Sequence, residues 1–133
     1  MNVFLFISIF FLINICQAQE FKKFQWKKRI VLLLFDSNTK AQATKQLKLL
    51  ETQSTQLEDR DIVVIGHHNT GKKNDLHYVR SLDIAKNYNG LVVLGKDGQV
   101  KMMKEFIVPP EKIFALIDGM PMRKMEMREK EGY

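Results

Sequence analysis

The sequence predicts an α/β domain built on a mixed sheet with helices on both faces. Three observations carry this. Short apolar runs at Arg29–Phe35, Asp61–Gly66 and Leu91–Leu94 alternate with longer amphipathic stretches, as expected for strands buried on both faces. A helix-periodic stretch separates the first two runs, so they form a parallel βαβ unit, almost always right-handed. Asp97-Gly98 follows the third run, a strong signal for a tight hairpin and an antiparallel return strand.

The elements follow in order. Met1 to Ala18 carries no charged side chain, and Val3 to Ile13 is apolar except for Ser8. That run is shorter than the ~20 apolar residues a spanning helix needs and has the length of a signal-peptide core. Cys16-Gln17-Ala18 places small residues at the two positions a signal peptidase reads. Cleavage after Ala18 is expected, leaving one domain over residues 19–133 with no membrane span. Lipidation at Cys16 is the alternative, although the residue before it is the bulky Ile15.

Arg29 to Phe35 is the first strand. Asp36, Ser37, Asn38 and Thr39 cap a helix or make a turn. Ala43, Leu47, Leu50, Ser54 and Leu57 then mark one helical face. Asp61 to Gly66 is the second strand, and His67 to Asp75 is a polar loop. Tyr78, Leu82 and Ala85 suggest a short helix, ended by Asn89-Gly90 with glycine as a left-handed cap. Leu91 to Leu94 and Gln99 to Lys104 make the hairpin around Gly95-Lys96-Asp97-Gly98. Pro109-Pro110-Glu111 opens a last helix, with Ile113, Leu116, Ile117 and Met120 as its buried stripe. Pro121 interrupts it. Arg123 to Glu131 is a charged, partly helical tail in which Glu126 and Lys130 have ion-pair spacing. The order βαβ, helix, β-hairpin, helix is the thioredoxin-like arrangement.

Four local motifs add a resemblance. Trp26-Lys27-Lys28-Arg29, Asp59-Arg60-Asp61, Gly95-Lys96-Asp97-Gly98 with Val100-Lys101, and Ile117-Asp118-Gly119-Met120-Pro121-Met122-Arg123 resemble the family called domain of unknown function 4174. The likeness covers roughly Phe21 to Arg128. It implies a thioredoxin-like fold and an exported bacterial protein, and it implies no reaction.

Composition excludes the chemistry most often found on this fold. The single cysteine is Cys16, inside the expected signal. The mature domain therefore has no disulfide, no thiolate and no cysteine metal ligand, and it is not a thiol-disulfide oxidoreductase. In enzymes of this fold the cysteines follow the first strand. Here that place holds Asp36 to Gln42, where a helix cap competes with a binding site built on Asp36 and Asn38. A cis-proline before the hairpin is replaced by Asn89-Gly90.

His67 and His68 follow the second strand, at the end of the sheet where ligands bind in open α/β folds. With His77 they could form an imidazole cluster, but adjacent strand residues point to opposite faces and no Glu or Cys stands at metal-motif spacing. Solvated loop histidines are the plainer reading. No metal or other cofactor is implied, and no nucleophile, base and orienting residue stand together. Lys96 and Asp97 have a turn-forming explanation.

Asp118, Arg123, Glu126 and Arg128 could tie the tail to the body. Exposed pairs of that kind contribute only ~0–1 kcal/mol each. Arg123 is the one to watch, because a folded-back tail would let its guanidinium grip a buried carboxylate or carbonyl group. Phe21, Phe24 and Trp26 interleave with Lys22, Lys23, Lys27, Lys28 and Arg29. An exported protein does not meet nucleic acid, so the basic segment suits an anionic surface or an acidic partner, or else an edge whose aromatics cover the sheet. Met120, Met122, Met125 and Met127 either form an adaptable contact surface or pack the tail onto the core.

The net charge of +6 and the lack of a catalytic constellation lead to one expectation. The protein is an exported, non-catalytic binding or structural module of the cell envelope, periplasmic or surface-attached, with an envelope protein or anionic surface as partner. Asp36, Asn38, His67, His68 and Arg123 are the candidate contacts. The alternative is a small-ligand or metal-dependent enzyme using the loop histidines.

Overall fold

A computed structural model describes residues 24–69, 82, 84–85 and 87–132. The expected signal, most of the helix around Tyr78, and His77 lie outside these residues. In chain order the elements are β1 (Arg29–Phe35), α1 (Lys40–Glu51), α2 (Ser54–Asp59), β2 (Ile62–His68), β3 (Gly90–Leu94), β4 (Val100–Lys104), α3 (Pro110–Asp118) and α4 (Pro121–Lys130). The sheet order is β2-β1-β3-β4. β1 and β2 are parallel, with Arg29 opposite Ile62 and Phe35 opposite His68. β3 runs antiparallel to β1, and β4 antiparallel to β3. This is the thioredoxin-like topology.

Alternation along β1 and β3 builds the two sides of the core. Val31, Leu33, Leu91 and Val93 point to one face, where they meet Leu50 of α1, Leu57 of α2 and Ile113, Phe114 and Ile117 of α3. Ile30, Leu32, Leu34, Val92 and Leu94 point to the other, where Ile84, Phe24 and Tyr88 pack. Each fully buried branched side chain contributes roughly 1.5–3 kcal/mol relative to exposure. Phe24 covers the sheet as the edge reading expected, but Trp26 does not.

Several boundaries differ from the sequence reading. The long helix is two, because the chain turns at Thr52 and Gln53 before α2. Gly90 is not a helix cap but the first residue of β3, opposite Leu34, at φ +155. A Cβ there would stand 2.6 Å from the Lys104 carbonyl oxygen, so close strand approach explains the glycine. The tail is a full helix, begun by Pro121 after Met120.

Candidate functional site

The two ends of the sheet are chemically different. At the carboxyl end of β1, Asp36 organises a closed turn. Its Oδ1 accepts from the backbone N–H groups of Asn38 and Thr39, both at 2.9 Å, and from the Thr39 hydroxyl at 3.0 Å. The Asp36 N–H donates to Thr39 Oγ1, and Asn89 Nδ2 donates to Asp36 Oδ2 at 3.0 Å. The Thr39 hydroxyl and backbone N–H hold the Asp36 carboxyl below its ordinary value. These residues were expected to cap the helix. They lock the turn before it, and no side chain caps α1 at Thr39.

His67 and His68 are the last two residues of β2 and not loop residues. The strand sends them to opposite sides, as its period of two requires. His67 is buried, whereas His68 is exposed and stacks on Phe35 with ring centroids 5.1 Å apart. The two imidazoles therefore cannot converge on one ion. Among the described residues no group of three His, Cys, Asp or Glu could hold a metal. Asp36, Ser37, Asn38, His68 and Asn69 line an open groove of about 370 Å³.

The opposite end of the sheet holds a dense ionic cluster. Arg29 opens β1 with 1 % exposure. Its two Nη atoms donate to the two carboxylate oxygens of Glu126 at 3.1 Å, and Nη1 also donates to the Arg60 carbonyl. Lys96, buried in the hairpin, reaches Glu126 at 2.6 Å and Asp61 at 2.9 Å. It is therefore more than a turn residue. Burial raises the Glu126 carboxyl, but hydrogen bonds from Arg29 and Lys96 outweigh it and hold the group below its ordinary value.

A second chain of pairs lies beside the first. Arg123, 3 % exposed, donates to Asp118 through Nε and to the Asp59 carbonyl and carboxylate through its Nη atoms. Asp118 also takes a two-pronged contact from Arg60, whose guanidinium lies 4.6 Å from the Phe114 ring centre. Lys130 caps the row at Asp59, and its hydrogen bond, with that of Arg123, lowers the Asp59 carboxyl to about 2. Arg123 is thus engaged inside the molecule, where its guanidinium grips a carbonyl and two carboxylates as a folded-back tail allows. Glu126 and Lys130 ignore each other, each having a partner on the body of the domain.

Sequence reasoning missed Arg29, Arg60, Lys96, Asp59 and Asp61 as one constellation. The signal that could have found them is that the four motifs carrying the family resemblance each supply residues to this end of the sheet. The methionines divide: Met120 packs against the core, while Met122 and Met125 are exposed. No described helix is long and apolar enough to cross a membrane.

No curated protein matches the chain. It is similar to an uncharacterized thioredoxin-like protein from Porphyromonas gingivalis with a solution structure, at 11 % identity and a TM-score of 0.45, over 70 % of this chain and 78 % of that one. The family described as "Domain of unknown function (DUF4174)" matches residues 20–126, and the chain belongs to that family.

Proposed function

We propose that this protein is an exported, non-catalytic binding or structural module of the bacterial cell envelope. One observation carries the reading. Where a thioredoxin-type enzyme needs a reactive group, the turn Asp36–Thr39 spends its only acid on its own backbone, the Thr39 hydroxyl and Asn89. A carboxylate engaged on both oxygens and held below its ordinary pKa is a poor proton acceptor. The chain's one cysteine, Cys16, cannot form an intramolecular disulfide, which supports the same reading. The uncharged Met1–Ala18 segment supports export.

The test is retention of envelope components by the immobilised protein, against an unrelated protein of matched charge. Retention above that control, unchanged in an Asn38→Ala/His68→Ala variant, is the expected result. No retention above the control would contradict the reading. Loss of retention in the variant would move the working surface to the groove beside α1.

A further inference from the structure

We propose that the base of the sheet, the end that carries the ionic cluster, docks on an anionic bilayer surface through Trp26 and the lysines beside it. This rests on the envelope reading and names the partner.

Trp26 is the only tryptophan in the chain and is 62 % exposed. A ring of that size is ordinarily well buried, so at this exposure it recovers little of its apolar energy within the domain. Its backbone is also unfavourable. Trp26 sits at φ +69, a left-handed conformation that large L side chains avoid. The turn is held there by the Trp26 N–H, which donates to the Lys96 carbonyl at 2.6 Å, and by the Lys27 and Lys28 N–H groups, which both donate to the Phe24 carbonyl. Asp61, at φ +53, is the other strained non-glycine residue among those described, and it lies in the same cluster. Strain persists where surrounding structure enforces it, and such positions concentrate at working surfaces. Here the buried Lys96 anchors both the Trp26 turn and, through Glu126, helix α4.

The ion pairs at this end of the sheet carry an excess of cations. In the two linked rows of ion pairs, six cations face four carboxylates. Lys28 reaches Asp61 only at 3.7 Å. Lys27 is exposed and has no acid at ion-pair distance among the described residues. In sequence Lys22 and Lys23 precede Phe24 and extend the basic run, with Glu20 as the one acid before them in the expected mature chain. At a bilayer interface indole rings sit at headgroup depth and lysines meet anionic lipid. A protein partner calls for a broad apolar patch with aromatic anchors. One exposed indole followed by an exposed lysine at Lys27 fits phosphate headgroups better.

The sole tryptophan is its own reporter. The chain as recovered from cells is mixed with phosphatidylglycerol-containing vesicles and with pure phosphatidylcholine vesicles. On the anionic vesicles, Trp26 emission shifts to the blue and its acrylamide quenching falls; both effects recede at high salt. On neutral vesicles neither changes. The Lys27→Glu/Lys28→Glu variant keeps the reporter, and its partitioning weakens by roughly tenfold or more. Unmoved emission at saturating anionic lipid overturns the proposal, even if Met1–Ala18 brings the chain to the vesicle. So does an equal shift on neutral vesicles, or a variant that partitions like the parent. An envelope protein captured while Trp26 emission stays unmoved overturns the bilayer proposal and leaves the binding-module reading standing.

Discussion

Arg29, at the first position of the first strand, forms a two-pronged ion pair with Glu126, which lies 97 residues further along in the last helix. The pair fastens α4 across the end of the sheet. Truncating one partner of a buried pair strands the other, at a cost of roughly 3–5 kcal/mol. Glu126→Gln leaves both Arg29 and Lys96 without their shared carboxylate, so its unfolding free energy should fall by an amount in that range. Lys130→Ala removes a cation that is mostly exposed and should cost no more than about 1 kcal/mol. Replacing both ends together, Arg29→Met with Glu126→Leu, should cost far less than Glu126→Gln alone. Equilibrium unfolding of the four proteins measures all three effects.

A second long-range contact is neutral and buried. Gln46 of α1 accepts from the Val108 N–H at 2.7 Å and donates to the Val108 carbonyl at 2.9 Å. The side chain thereby completes the backbone of the segment leading into α3. Gln46→Leu keeps the volume but orphans both groups, each costing about 1–3 kcal/mol when buried. A lowered unfolding midpoint, with faster hydrogen exchange at Val108, is the expected outcome.

Acid should loosen the same end of the sheet. Asp59 is lowered from 3.8 to about 2, chiefly by Lys130 and then Arg123. Asp118 and Glu126 are also lowered, their basic partners outweighing burial. A carboxyl with a depressed folded pKa stabilises the fold above its unfolded value and loses that contribution as pH falls through the folded one. The melting temperature should therefore drop between pH 3.8 and about 2. Asp59→Asn should flatten that drop, and the two proteins should converge at the acid end.

Gly90 offers a steric test. An added Cβ would meet the Lys104 carbonyl at 2.6 Å and the Tyr88 hydroxyl at 2.9 Å, at φ +155. Gly90→Ala should destabilise by more than about 1 kcal/mol, read as a fall in the unfolding midpoint. Gly119→Ala, whose Cβ would find its nearest neighbour at 3.5 Å, should be close to neutral.

The strands and the hairpin were legible because apolar runs and Asp97-Gly98 are local signals. The break between α1 and α2 was not, since no Gly or Pro marks Thr52 or Gln53. Nor was the extension of β2 through His67 and His68, because polar residues at the end of an edge strand look like loop. The ionic cluster was hidden for a different reason. Hydrophobic patterning shows where apolar side chains go and is blind to a fully buried arginine such as Arg29. The spacing of Glu126 and Lys130 suggested a local pair, but Arg29 and Lys96 on the one side and Asp59 on the other compete better. The turn at Asp36 was visible as turn chemistry, but its reciprocal bonds with Thr39 depend on backbone geometry that the residue types alone do not fix.

The proposed working surface lies at the base of the sheet, beside Trp26, and not in the groove at Asn38 and His68. The most direct test places a photoreactive amino acid at Lys27 in one variant and at Asn38 in another, and illuminates both in living cells. Both positions are exposed, so neither replacement disturbs the core. Adducts to envelope lipid or protein from position 27, with none from position 38, are the predicted result. Adducts from position 38 alone would contradict the account and return the site to the end of the sheet where a thioredoxin-type enzyme carries its chemistry.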